Sequence, residues 1–278
     1  MIWAGNTIFE FVYTRAMNVS PKNSSDTLAQ IAVVVSFVFT LTMNTLAVTL
    51  PLFGRSTKEI SDSFPSFFTP AGYVFSIWSV LYLTQLVFAI YQALPAQGNN
   101  PRIRAVRYPF VAACLFNGFW IIAWHGLIAP LSMVLMLGLL ASLIFAYNKL
   151  EIGLTADLGA ADRWLVRLPF SLYLGWITVA TVANAVSLLL DLNWNGFGIS
   201  GQVWAAVLVL IAAGFGTAFS LSRHDVGYNM VLLWAFGGIY VAHSSSGTVV
   251  TSLVIGTILI LAAIVLSRTS KRSIFVRA

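Results

Sequence analysis

Eight runs of about 20 apolar residues, each long enough to cross a bilayer as a helix, constrain this chain more than any other feature. They predict spans at 28 to 50, 71 to 94, 107 to 128, 130 to 148, 164 to 190, 201 to 221, 227 to 243 and 247 to 267. Inside a bilayer the backbone polar groups must be paired within the segment itself, so spans of this kind are helices. The expected fold class is therefore all-α, a polytopic integral membrane helix bundle. Composition agrees, with 59% hydrophobic and 9% charged residues and a mean hydropathy of +0.87, where soluble domains have roughly 45–50% and about 25%.

Two joins, at Ala129-Pro130 and at Ser244 to Ser246, are so short that they read either as tight antiparallel connections or as kinks in longer helices. Charge decides between these readings. With eight crossings one side of the membrane receives Arg15, Lys22, Arg102, Arg104, Arg107, Lys149, Arg163, Arg167, Arg223, Arg268, Lys271, Arg272 and Arg277, and the other only Arg55 and Lys58. The positive-inside rule then predicts that both termini are cytoplasmic. The same spread of charge explains the net +6 without a nucleic-acid partner. Residues 1–27 lack the pattern of a removable signal peptide and are expected to be a cytoplasmic segment, with Met17 as a second candidate start. The only cysteine, Cys114, sits in an apolar run and excludes a disulfide framework. The linker-like stretches are 95–106 and 191–200. The second divides the chain into a five-helix unit, 28–195, with six of the nine tryptophans, and a three-helix extension with a basic tail, 196–278.

All nine carboxylates, Glu10, Asp26, Glu59, Asp62, Glu151, Asp157, Asp162, Asp191 and Asp225, fall outside or at the ends of the spans, which argues against a carboxylate-coupled pump. No metal site is expected, because His125, His224 and His243 have no ligand spacing. His125, beside Trp124, is either an axial haem ligand or an interfacial histidine at a helix end. What remains at depth is aromatic and amide residues. The stretch 66–83 opens with Pro70, with Thr69 as a helix cap, and carries Tyr73, Trp78 and Tyr82, the last two on one face. It reads as an aromatic wall or as an interfacial belt. Asn117, Trp120 and Trp124 share one face of the third helix, and Trp176, Ala180, Asn184 and Ser187 one face of the fifth. The asparagines equally fit interhelical hydrogen bonding among Asn44, Asn117 and Asn184, and Gly214, Gly216, Gly237, Gly238 and Gly247 fit close packing or a dimer face.

Three motifs in order resemble the tryptophan-rich sensory protein, or translocator protein (TspO/MBR), family: Thr69 to Tyr82 (TPAGYVFSIWSVLY), Asn117 with Trp120, and Trp176, Ala180-Thr181, Asn184 and Leu192-Asn193-Trp194. The resemblance covers about residues 28 to 195. It implies a membrane binding or sensory protein for a planar hydrophobic ligand, above all a tetrapyrrole such as porphyrin or haem, with sterol or lipid as other ligands and no required cofactor. Ligand would be held by Tyr73, Trp78, Tyr82, Asn117, Trp120, Trp176, Ala180 and Asn184, beneath a lid at 53–68 whose Arg55 and Lys58 could meet propionates. Two further readings follow. One is light- and oxygen-dependent porphyrin degradation, for which Tyr73 departs from the family's tryptophan. The other is a transporter or structural subunit, with a homo-oligomer among the expected partners, suggested by the three extra helices.

Overall fold

The computed structural model describes residues 24–50, 52–155 and 159–275, with side chains to 269. Expectations placed on residues 1–23, on Asp157, on the side chains of Lys271 and Arg272, and on Arg277 lie outside the described residues. Eight helices are long and apolar enough to cross a membrane. They are α1 (Ser24–Thr49), α3 (Gly72–Ala93), α4 (Pro101–His125), α5 (Ala129–Lys149), α6 (Ala160–Asp191), α7 (Gly201–Arg223), α8 (Val226–His243) and α9 (Gly247–Phe275). A short helix, α2 (Thr57–Asp62), lies between the first two spans. Among the described residues there are no strands.

Both short joins are true reversals. Leu127, in left-handed backbone with φ 54°, turns the chain between α4 and α5, and Ser246 N–H donates to His243 O as α8 gives way to α9. The third span starts at Pro101 rather than 107. Asn100 caps it by accepting from Arg102 and Ile103 N–H, with Pro101 in the first turn. Arg102, Arg104 and Arg107 dilute the apolar run there, yet they lie on the helix. Near its start α6 contains a π turn, Arg163–Arg167, just before Pro169, whose missing N–H relaxes the ordinary helical register.

Thr69 does not cap α3, contrary to the expectation. The span opens with a 3-10 turn, Gly72–Ser76, whose N-cap position, Ala71, makes no side-chain capping bond. α8 anchors the start of the span instead: Ala71 N–H donates to Gly238 O at 3.0 Å, Trp234 Nε1 donates to Val74 O at 3.1 Å, and His243 Nε2 meets Thr69 O at 2.9 Å. A methyl group on Gly238 would stand 2.0 Å from Val74 Cγ2, so glycine there permits the contact.

The bundle packs α4 against both α1 and α5, α5 against α6, α6 against α8, and α7 against α9. Its two ends differ in chemistry. At one, the basic end, Arg107 is 1% exposed and reaches Gln92 Oε1, Gly98 O and Gln97 O, with Asp26 at 3.6 Å. Asp26 also pairs with Arg104, and Asp162 with both Arg102 and Arg167. Tyr147 Oη donates to Asp225 at 2.8 Å, tying α5 to α8. The other end carries the lid.

Candidate functional site

The lid is built locally. Ser56 and Glu59 form a capping box, in which Ser56 Oγ accepts from Glu59 N–H and the Glu59 carboxylate from Ser56 N–H at 2.7 Å. That bond holds the Glu59 carboxyl below its ordinary range. Lys58 is ion-paired with Asp62 one turn on. The lid is pinned to the bundle by His125, which is fully buried at the end of α4. Its Nε2 lies 2.9 Å from Thr57 Oγ1 and its Nδ1 3.3 Å from Leu52 O. One neutral tautomer satisfies both, with Nδ1–H donating to the carbonyl and Nε2 accepting from the hydroxyl.

Beneath the lid the rings form a column. Tyr82 stacks on Trp78 at 5.3 Å between centroids, Trp78 on Trp120 at 6.2 Å, and Trp120 on Trp124 at 5.8 Å, while Phe64 of the lid leans on Trp124 at 6.1 Å. Trp176 meets Trp78 edge-on at 5.9 Å and Phe75 at 6.4 Å. These offset and edge-on arrangements are those aromatic quadrupoles favour. A cavity of about 60 Å³ lies against the column, lined by Trp78, Trp120, Trp124, Trp176 and Phe75, by Ala180, Ala183, Asn184 and Ser187 of α6, and by Thr57, Ser61, Thr69 and Pro70. The Nε1–H groups of Trp120, Trp124 and Trp176 are buried and find no acceptor among the described residues. An unmade buried hydrogen bond costs about 1–3 kcal/mol.

Of the residues expected at the site, Trp78, Trp120, Trp176, Ala180 and Asn184 come together at the cavity. Tyr82 and Asn117 sit behind it. Asn117 accepts from Asn44 Nδ2 at 2.8 Å and donates to Tyr173 Oη at 2.9 Å, so the Asn44 to Asn117 link forms as expected. Asn184 does not join them, because Ser132 on the neighbouring α5 is within reach and exchanges hydrogen bonds with it at 2.9 and 3.1 Å. Tyr73 points away: it is half exposed and packs edge-on against Trp234 of α8. Lys58 lines a shallow outer pocket of about 440 Å³ with Asp62, Phe67 and His243, and Arg55 is exposed on the lid. Phe64 and the role of His125 as lid pin were not read from the sequence. The spacing Trp120 to Trp124 signals the column; nothing local signals the pin, since its partners lie 68 and 73 residues away.

Eight spanning helices, three of which line an aromatic cavity under a pinned lid, define an integral multi-pass membrane protein. The family model described as TSPO-like protein matches residues 30–266, and the chain belongs to that family. The match continues through α7 and α8 into α9. No curated protein and no solved structure matches the chain.

Proposed function

We propose that the protein binds a planar hydrophobic ligand, a tetrapyrrole in the first instance, in the aromatic cavity beneath the lid, and acts as a membrane sensor of it. The observation that carries this reading is the set of three buried indole N–H groups without acceptors. A flat ring bearing hydrogen-bond acceptors would relieve their cost while stacking on the column. At about 60 Å³ the cavity is well below the roughly 300–1,000 Å³ of small-molecule pockets, so binding requires the lid to lift. The inner cavity and the outer pocket share Ser61, Thr69 and Pro70, and a single displacement of the lid would join them. Lys58 is then placed to exchange Asp62 for a ligand carboxylate, since an exposed ion pair contributes only about 0–1 kcal/mol.

The lining supplies hydroxyls, an amide and indoles but no ionisable side chain, which favours binding over proton-transfer chemistry. Titration with protoporphyrin in detergent tests the reading. Indole emission should be quenched saturably, and Trp120→Phe or Trp176→Phe should raise the Kd by about tenfold, the equivalent of one hydrogen bond of about 1.4 kcal/mol. Quenching that does not saturate, or that ignores both substitutions, overturns it.

The asymmetry of basic residues supports an orientation with the lid on the outer face of the membrane. After Cys114→Ala, a cysteine at Ser61 should react with an impermeant maleimide on intact cells, and one at Asn99 only after permeabilisation. The opposite pattern inverts the orientation.

A further inference from the structure

The outer pocket, at about 440 Å³, falls within the usual range of small-molecule sites, roughly 300–1,000 Å³. It shares the wall of Ser61, Thr69 and Pro70 with the aromatic cavity. The two differ in charge. The cavity lining has no ionisable side chain, whereas the outer pocket has three, Lys58 and Asp62 from α2 in the lid and His243 from the last turn of α8. Arg55 and Glu59 of the lid and Tyr240 of α8 do not line it.

A methyl group on Gly72 would stand 2.6 Å from Lys58 Cε and 3.0 Å from Cδ, so the lysine stem lies against the start of α3 and glycine there leaves room for it. Its ammonium is paired with Asp62, but both side chains are at least half exposed, and water competes with such a pair. On the α8 side of the pocket His243 Nε2 meets Thr69 O. A carbonyl only accepts, so Nε2 carries the proton, and the lone pair of the neutral ring is on Nδ1, which makes no hydrogen bond among the described residues. The Phe67 ring packs on the imidazole at 5.3 Å and holds it from the lid side. A proton taken up at Nδ1 gives the pocket wall a second positive charge. The start of α3 adds to it, because no acidic residue lies in its first turn to offset the positive end of the helix dipole.

We propose that the outer pocket is the acid-recognising half of the ligand site, in which Lys58 and protonated His243 hold a carboxylate while the ligand's rings lie against the tryptophans of the cavity. The inference rests on the reading that a planar ligand binds beneath the lid, and it narrows that ligand to planar acids, setting neutral rings such as sterols and esters apart. Charge balance supports it. With Lys58 paired to Asp62, the pocket has no net charge when His243 is neutral and one positive charge when it is protonated, and an entering carboxylate cancels that charge. The carboxylate gains charge-assisted hydrogen bonds that an ester cannot make. It also ties α2 of the lid to α8, so the acid closes the lid over the ring that carries it. The C-terminal helices therefore take part in recognition as well as in packing against α3.

The test uses the full chain in detergent with protoporphyrin and, as the neutral probe, its dimethyl ester. Each is titrated by indole quenching at about pH 6 and about pH 8, a range across which imidazole changes charge. At the lower pH the diacid should bind about tenfold more tightly than the ester, the equivalent of one charge-assisted contact, and the advantage should shrink by about threefold at the higher. Lys58→Met should remove most of the preference at both pH values and leave the Kd of the ester unchanged. His243→Gln, whose amide can still donate to Thr69 O, should remove the pH dependence, and His243→Lys, a cation throughout, should hold the diacid tightly at both values, which a merely structural histidine would not explain. Equal affinity for diacid and ester, or a preference that neither Lys58→Met nor the His243 variants alter, overturns the subsite and leaves the aromatic cavity standing. Binding of neither probe overturns both readings.

Discussion

At the basic end Arg107 is buried with its guanidinium satisfied by a glutamine and two backbone carbonyls, whereas at the lid end three buried indole N–H groups have no acceptor. The first arrangement is a closed polar network that joins α1, α3 and α4 and leaves little to gain from any ligand. The second leaves polar groups in deficit, surrounded by rings that slide past one another more readily than charges separate. The unpaired indoles border a cavity, and the buried arginine network does not. The difference teaches that membrane depth alone does not make a site; a deficit of partners at that depth does.

The largest test of this contrast is Arg107→Met. It leaves Asp26 buried beside only the half-exposed Arg104, and stability measured by thermal unfolding in detergent should fall by about 3–5 kcal/mol. A smaller loss than that of any lid-end substitution would erase the distinction. Next, Gly238→Val forces a side chain against Val74 and Pro70 and should cost about 1–3 kcal/mol, as overpacking does. It should also weaken porphyrin binding by displacing the start of α3; unchanged binding would mean that α8 does not shape the site.

Thr57→Val removes the hydroxyl that meets His125, leaves the buried Nε2 without its donor, and should cost about 1–3 kcal/mol. Its effect should show chiefly as faster porphyrin association in stopped-flow, because the lid lifts more often. An unchanged rate would imply that another contact governs the lid.

The smallest effect concerns pH. The Glu59 carboxyl is depressed in the folded lid by its bond from Ser56 N–H. Its contribution is therefore present above the unfolded value of about 4.3 and is lost as pH falls through the folded value. Hydrogen exchange of residues 56–62, corrected for intrinsic rates, should show less protection on acidification through that window. Glu59→Gln should remove the dependence, and a variant that keeps it would assign the titration elsewhere.

Much of this was legible in the chain itself. Eight apolar runs determined eight helices because a bilayer leaves the backbone no other way to pair its polar groups. The stripe Trp176, Ala180, Asn184 and Ser187 was readable for the same reason, since helical period follows from local geometry. The tertiary structure decided what the stripes meet. Tyr73 lies in the same aromatic stretch as Trp78, but the 3-10 turn at Gly72–Ser76 and the indole of Trp234 carry it outward. Asn184 chose Ser132 over Asn117 because α5, and not α4, brings a hydroxyl to its level. The pin at His125 and the contact of His243 with Thr69 each depend on residues far apart in the chain, and no local pattern encodes which distant group a side chain will face.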